Sequence, residues 1–580
     1  MTLTSEPSAA GGGRDAQAHL SPPAVSVPIE RAPQGAARTR TILDLDAVWL
    51  VATLTFAFLV GTLLQADQTD YWWTVKLGQE LLTTGQLPAT DPLSFTFSRL
   101  PYVEQQWLAQ VVLASAHALG GLEAALLLRA LILAASLGLL YHLCRARGAP
   151  AGAACAACGL ATLSVVGGAA IRPQLLAIPL FVVFLAGTTI WLRHAWTLVL
   201  LPLAMVVWAN VHGSFPLGLA LVGAALAGTA ITLIQRRGDT RADALGPPPS
   251  SDAQSIEGVP ALARLVVLLA LCGLATLITP YGLGIVPWLV DYLTFNTGST
   301  GLSTLSTEWL PTSIATAHGV LFFLSVLVLV AVLIRVGPPS PADCLRLLVF
   351  GVLALQAVRS TLWWALVMAP VLAWGLGQLQ QGRERRAADP TAAPVQGHTR
   401  PVAGSRNGLP ALNAALIASF LLAAGLSLPW LRPLGWLYPP ERWPVQDTRL
   451  PVGAADLAST LPATRLYNTM DWGGYLAWRL APRQRIFVDG RFQLYQPDLY
   501  RDYFAIAQAG SAWADKLRAY GVEALLVSRQ AQRELLRAAE ADGSWQAVYC
   551  DAAAAVYLPR EQAAGRAVPC GPAGDAPSGS

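Results

Sequence analysis

The chain has 580 residues, 54% of them hydrophobic and 13% charged, with a formal net charge of +4. A soluble globular domain carries roughly 25% charged residues, and the shortfall here is concentrated in apolar runs of about 20 residues, the length that crosses a hydrocarbon core. An ordinary soluble enzyme is therefore excluded, and with no basic stripe interleaved with aromatics, nucleic acid is not an expected partner.

Residues 1–44 are rich in Ala, Gly, Pro and Ser, with Arg14, Arg31, Arg38 and Arg40. They read as a disordered cytoplasmic tail, and the apolar run behind them, which lacks a small-residue cleavage site, as an uncleaved span. About eleven transmembrane helices are predicted, near 45–66, 121–143, 151–170, 175–192, 197–211, 215–235, 262–280, 317–336, 342–358, 360–379 and 409–430. A shorter apolar stretch at 107–119 reads as interfacial or re-entrant. Basic residues fall mostly on one side of these spans, at Arg145, Arg147, Arg193, Arg236, Arg237, Arg241, Arg335, Arg383, Arg385 and Arg386. The opposite side holds only Lys76, Arg99, Arg172 and Arg359. The basic side is the cytoplasmic one by this asymmetry, so an odd number of spans places the N-terminus in the cytoplasm and residues 431–580 outside the cytoplasmic membrane. The stretches 238–261 and 381–408 read as flexible linkers.

Beyond residue 430 the pattern changes. Strand-like runs at Arg465–Asn468, Arg485–Val488, Ala524–Val527 and Ala547–Tyr549 alternate with helical ones at Gly474–Leu480 and Gln532–Ala541. The fold class is thus an α-helical polytopic membrane protein, its membrane domain at 45–430, with a small α/β soluble domain at 431–580. Neither GxGxxG nor a Walker loop is present, so no nucleotide site is indicated. Cys155 and Cys158 lie in an apolar helix and read as core packing; Cys550 and Cys570 share the outer domain, where a disulfide is feasible.

The polar clusters outside the basic loops fall on the outer face. The long first outer loop, 67–120, holds Asp67, Asp70, Asp91 and Glu104. Asp67 and Asp70 are three apart, so a continuing helix puts them on one face, either as a solvated helix end or as a pair that binds a divalent cation or divides into base and orienting partner. Trp72 and Trp73 read as an interfacial belt or as a platform for a sugar or headgroup. Asp91, between Thr90 and Pro92, reads as a turn or cap residue. Later turns bring Arg172-Pro173-Gln174, His212 in a Gly-Ser turn, Glu308-Trp309, and Arg359 to the same face. Arg172 and Arg359 suit a phosphate or snorkel to headgroups. Arg129, inside the second span, pairs with an acid or faces a phosphate. Ionisable groups at such depth tend to face a working cavity.

Several motifs then carry a resemblance. Asp67-Gln-Thr-Asp70-Tyr-Trp72-Trp73, Gly78, Pro88-Ala-Thr-Asp91-Pro92-Leu-Ser94-Phe-Thr96 and Trp107-Leu108-Ala109 resemble the first outer loop of bacterial GT-C superfamily membrane glycosyltransferases. These are polyprenyl-phosphate-sugar-dependent enzymes, and the likeness is to the group with a C-terminal outer domain. Arg172-Pro173-Gln174, Trp208-Ala-Asn210-Val-His212-Gly213, Thr279-Pro280-Tyr281-Gly282 with Glu308-Trp309, Asp471-Trp472-Gly473-Gly474-Tyr475 and Phe487-Val-Asp489-Gly490-Arg491 are similar to that group too. The resemblance covers roughly 45–560. It implies sugar transfer from a polyprenyl-phosphate donor to a glycan or protein acceptor at the outer face, in contact with the lipid bilayer. It makes Asp70 the leading base or metal ligand, Asp67 the second and Glu104 a further acid, with Mg or Mn as the implied ion on Asp67 and Asp70. Substrate-binding candidates are Arg172, Gln174, His212, Arg359, Trp72, Trp73 and Glu308. The chain departs from the family pattern in its D-x-x-D spacing, in Thr74 after the Trp pair and in Gln106 before Trp107. A non-catalytic protein of envelope glycan assembly, or a transporter, stands as the alternative.

Overall fold

The computed structural model describes residues 44–64, 69–98, 100–165, 169–238, 258–296, 307–388, 409–434, 450–462, 464–492, 494–563 and 565–570. Asp67, almost all of the tail and most of both linkers lie outside the described residues. A helix falls in each of the predicted spans. They are α1 (Leu45–Leu63), α3 (Trp107–Ala146), α4 (Ala151–Val165), α5 (Pro173–Gly187), α6 (Thr197–Val211), α7 (Pro216–Gly238), α8 (Val259–Ala275), α10 (Ala317–Val336), α11 (Pro341–Gln356), α12 (Thr361–Ala388) and α13 (Pro410–Leu426). Five of them are long and apolar enough to cross a membrane by length and composition. The chain is a multi-pass membrane protein.

Before residue 430, two helices lie outside the predicted elements, α2 (Thr69–Thr84) and α9 (Ile285–Asn296). The first span ends at Leu63 and α2 begins at Thr69, so Asp70 stands in the first turn of a separate helix. The stretch 107–119 is continuous with the second span and is broken from it only at Gly120–Gly121, where Gly121 takes φ 66°, a backbone state that glycine reaches without strain. The second linker is shorter than expected, because α12 runs on to Ala388. Arg129 reaches the backbone at the end of α1: its Nε donates to Gly61 O (2.7 Å) and Nη2 to Leu64 O (2.6 Å). It therefore occupies carbonyls that the end of α1 leaves without a helical partner.

The C-terminal residues form α14 (Val452–Thr460), α15 (Gly473–Leu480), α16 (Pro497–Ala507), α17 (Trp513–Ala519) and α18 (Arg533–Asp542) around a sheet. Its strands are β1 (Arg465–Asn468), β2 (Arg485–Ile486), β3 (Ala524–Ser528), β4 (Trp545–Cys550) and β5 (Ala554–Pro559), in the order β2-β1-β3-β5-β4. β1 is parallel to β2 and β3; β5 is antiparallel to β3 and β4. Successive strand residues point to opposite faces. Leu466, Leu526 and Val556 face one core with Tyr71, Trp72 and Trp73 of α2, whereas Tyr467, Leu525 and Tyr557 face another with Tyr500 and Tyr503 of α16. Burial on both faces explains why β3 is an uninterrupted apolar run. A disulfide joins Cys550 to Cys570.

The first long loop is built into this layer. Ile486 N donates to Leu93 O (3.1 Å) and Phe95 N to Ile486 O (3.1 Å), so residues 93–95 pair with the edge strand β2. Thr96 Oγ1 adds a bond to Phe487 O (2.6 Å). Residues 69–106 and 450–570 thus share a hydrophobic core and a sheet edge, and together they form a cap.

Candidate functional site

The cap covers one end of the helix bundle and leaves a cavity of about 450 Å³ between them. Its walls come from the first turn of α2, Gln106 before α3, the N-terminal end of α5 and the turn after α6, Tyr292 of α9, the segment 307–309, the segment before α12, and two turns of the C-terminal sheet.

From α2 comes Asp70. A carboxylate in the first turn of a helix is favoured by the exposed N–H groups and the dipole there. Its Oδ1 accepts a hydrogen bond from Trp73 Nε1 (3.1 Å), and its Oδ2 lies 3.7 Å from Arg172 Nη1. Arg172 caps α5, with Pro173 at the first helical position, where a missing N–H costs nothing. The same Nη1 is closer to Glu308, at 2.7 and 2.9 Å from its two oxygens. One guanidinium therefore stands between two acids.

Gln174, buried in the first turn of α5, accepts from Arg359 Nη2 through Oε1 (3.2 Å). The Arg359 guanidinium also lies over the Trp309 ring, 4.1 Å from its centroid. Among the described residues Arg359 forms no ion pair. Gln174 Nε2 is buried, and among the described residues it has no hydrogen-bond partner. His212 follows α6; the Ser214 N–H donates to its Nδ1 (3.1 Å), which must then be an acceptor. Burial, then the charges of Arg359 and Arg172, hold the imidazole well below its ordinary pKa. The neutral ring consequently carries its proton on Nε2.

Across the cavity the cap contributes Asp471, Gly490, Arg491 and Phe492. Arg491 is 3% exposed and held by two carboxylates. Its Nε donates to Asp489 Oδ1 (2.9 Å) and Nη2 to Asp489 Oδ2 (2.7 Å), while Nη1 donates to Asp91 Oδ1 (2.8 Å). Burial alone would raise the Asp91 carboxyl, but the Arg491 charge and hydrogen bonds from Arg491 and Ser94 outweigh it and keep it below the usual value. Burial likewise opposes the Arg491 charge, and Asp489 and Asp91 more than restore it.

Of the candidates read from sequence, Asp70, Trp73, Arg172, Gln174, His212, Glu308 and Arg359 line this cavity. Trp72 does not. It packs at 4.5 Å from the Trp478 ring and 5.5 Å from Tyr475, in the core between α2 and α15, because successive residues of a helix point about 100° apart. Glu104 is also outside the lining: it is buried, its carboxylate accepts from the Tyr102 hydroxyl, and its backbone N–H donates to the Tyr281 hydroxyl (2.8 Å). Burial, the largest influence, raises its pKa. Asp67 lies outside the described residues. Asp91 is more than a turn residue, since it ties the first loop to Arg491. Trp107, Asn210 and Tyr281 buttress the cavity from behind: Trp107 Nε1 donates to Asn210 Oδ1 (2.7 Å), and Asn210 Nδ2 to Ile278 O (2.9 Å).

Asp67, the other member of the expected metal-binding pair with Asp70, lies outside the described residues. The position between Asp70 and Glu308 is held by the Arg172 guanidinium, and among the described residues no cluster of three or more His, Cys, Asp or Glu has metal-binding geometry.

Fold and cavity together define a multi-pass membrane protein whose cap closes on a polar, arginine-rich chamber. Its overall structure is distantly similar to that of the oligosaccharyltransferase of Archaeoglobus fulgidus tethered with an acceptor peptide, with 14% identity and a TM-score of 0.47 over 83% of this chain and 69% of that one. The same enzyme in complex with Zn and sulfate gives 13% identity and a TM-score of 0.43 over 88% and 73% of the two chains. ArnT from Cupriavidus metallidurans bound to undecaprenyl phosphate gives 16% identity and a TM-score of 0.44 over 90% and 99%. No protein-family profile matches the sequence, and no curated protein matches it.

Proposed function

We propose that the chain is a membrane glycosyltransferase, moving a sugar from a polyprenyl-phosphate donor to a glycan or protein acceptor at the outer face of the cytoplasmic membrane. In this reading all eleven apolar helices cross the bilayer, the N-terminus is cytoplasmic, and residues 431–580 form an extracytoplasmic α/β domain. The observation that carries it is the pairing, in one cavity, of a helix-anchored carboxylate, Asp70, with an arginine, Arg359, that makes no ion pair among the described residues.

The division of labour follows from the donors. Arg359, the Gln174 amide and the His212 Nε2–H are positioned to hold a phosphodiester that carries one negative charge. When the anomeric C–O bond to phosphate breaks, the departing phosphate gains a second charge. Fixed donors then bind it more strongly than they bound the donor lipid, which lowers the barrier. Asp70 takes the proton of the acceptor hydroxyl as its oxygen attacks the anomeric carbon from the opposite face, inverting it. Arg172, between Asp70 and Glu308, orients both carboxylates. No step needs a metal ion at the described donors.

The Asp70→Asn chain tests this reading. Expressed in a strain lacking the native copy, with envelope glycans followed by mass spectrometry, it should give the profile of the deleted strain at normal membrane levels. Full complementation by that variant would overturn the catalytic reading and favour a binding role in glycan assembly.

A further inference from the structure

The turn 489–491 lies on the far side of the cavity from the membrane helices, yet it touches the residue to which the chemistry is assigned. A Cβ added at Gly490 would stand 3.2 Å from Asp70 Oδ1 and 3.1 Å from Thr69 Cγ2. One added at Gly474, on α15, would stand 2.7 Å from Thr69 O and 3.2 Å from Trp73 Cδ1. Two glycines of the cap thus let its backbone lie directly on the first turn of α2. A methyl group at Gly490 has nowhere to go without moving the Asp70 carboxylate by a few tenths of an ångström.

The turn itself is not free to yield. Its Arg491 is bonded to Asp489 from within the turn and to Asp91 from the first loop, at 2.7 and 2.8 Å. The guanidinium also lies 5.8 Å from the Trp73 ring, and Trp73 is the side chain that donates to Asp70 Oδ1. Asp91 in turn is fixed by Ser94, whose hydroxyl and N–H donate to its Oδ2 at 2.5 and 3.0 Å. Asp70 is therefore confined on one side by Arg172 and on the other by a turn that is itself pinned by a buried charge cluster.

We infer that Gly490 and Arg491 are positioning residues for Asp70: the C-terminal sheet holds the carboxylate at its working place, and the Asp91–Arg491 bond couples the first loop to that task. The inference rests on Asp70 being the base of the proposed reaction. It assigns the C-terminal sheet a direct part in the geometry of the reacting group. Neither positioning residue needs to touch the donor phosphate, which the same cavity meets through Arg359, Gln174 and His212.

Two variants of the full-length chain separate this from a merely structural role. Gly490→Ala adds one methyl group against Asp70. Asp91→Asn removes the charge from the bond between the first loop and the turn while leaving Arg491 its Asp489 partner. Binding is read by native mass spectrometry of the purified chain with undecaprenyl phosphate, and transfer by the envelope glycan profile of the complemented strain. A misplacement below 1 Å near a reacting group lowers turnover by about tenfold or more. Both variants should lose transfer on that scale, with phosphate-lipid affinity within about twofold of the parent chain; Gly490→Ala should keep the parent unfolding temperature, whereas Asp91→Asn should lower it, because the buried Asp91–Arg491 charge pair is lost. Normal transfer by Gly490→Ala, when Asp70→Asn is inactive, would overturn the positioning role and leave the function of Asp70 intact. Normal transfer by Asp70→Asn would instead remove the reading beneath it. If Asp91→Asn fails to fold, Gly490→Ala decides alone; equal losses of binding and transfer in that variant would also count against the inference.

Discussion

The two walls of the cavity each present an arginine, and the two are set in opposite surroundings. On the cap side, Arg491 is buried and its charge is exceeded by two carboxylates, Asp489 and Asp91. On the membrane side, Arg359 is partly buried, and its partners among the described residues are an amide oxygen and the face of an indole. A charge already matched within the protein holds parts together; a charge met only by neutral groups is left to act on a ligand. The same residue type thus fixes the geometry on one wall and attracts an anion on the other.

The largest test of this contrast is Arg491→Ala. It leaves two buried carboxylates with no cation between them, which typically costs about 3–5 kcal/mol. Thermal unfolding of the purified chain should register that loss in the cap. A change of less than about 1 kcal/mol would mean that water enters the cluster and that the two walls differ little. The cluster also has a pH signature. Asp91 is held below its ordinary pKa, so its contribution is present above the usual carboxylate value of about 3.9 and fades as the pH falls through its lower, folded value.

Arg359→Ala should act the other way round. Stability should change little, because one hydrogen bond to an amide oxygen and a ring contact are removed and no buried counter-charge is left behind. Affinity for undecaprenyl phosphate should fall by about 1.5–3 kcal/mol, the worth of a charge-assisted hydrogen bond, as read by native mass spectrometry. Unchanged affinity would move the phosphate elsewhere in the cavity.

Glu104→Gln should have the smallest effect. The folded state raises the Glu104 pKa, so its ionisation works against folding as pH rises between the unfolded and folded values. Removing that ionisation while keeping a side chain able to accept from Tyr102 should leave the unfolding temperature at neutral pH equal or slightly higher. A loss of transfer as complete as that of Asp70→Asn would instead bring Glu104 into the chemistry.

The sequence by itself determined the helices of the apolar runs and seven polar or aromatic residues of the cavity's lining. Apolar runs of membrane length have one dominant solution, because backbone groups in lipid must be satisfied within the segment. The polar residues at the ends of those runs are then held within a few residues of a fixed level, so Arg172, His212, Glu308 and Arg359 could be grouped before any contact was known. Two helices escaped that reasoning. Within Thr69–Thr84 and Ile285–Asn296 neither length nor sustained apolarity marks a span, and both are stabilised by what they pack against. β5 was missed for a related reason, since its alanines carry little strand preference and gain it only between β3 and β4.

Only the tertiary structure decided which member of each motif reaches the cavity. Trp72 and Trp73 are neighbours in sequence, but the helix turns one into the core and the other to Asp70. Asp91 looked like the residue of a local turn, and its partner Arg491 lies 400 positions away. Such a pairing leaves no mark in either local segment, because it depends on the sheet edge at β2 bringing the first loop and the turn 489–491 together. Periodicity and charge report on a segment's relation to solvent or lipid. The contact of two distant segments is set by how their faces fit, and that is where the coupling of Arg491 to Asp70 was found.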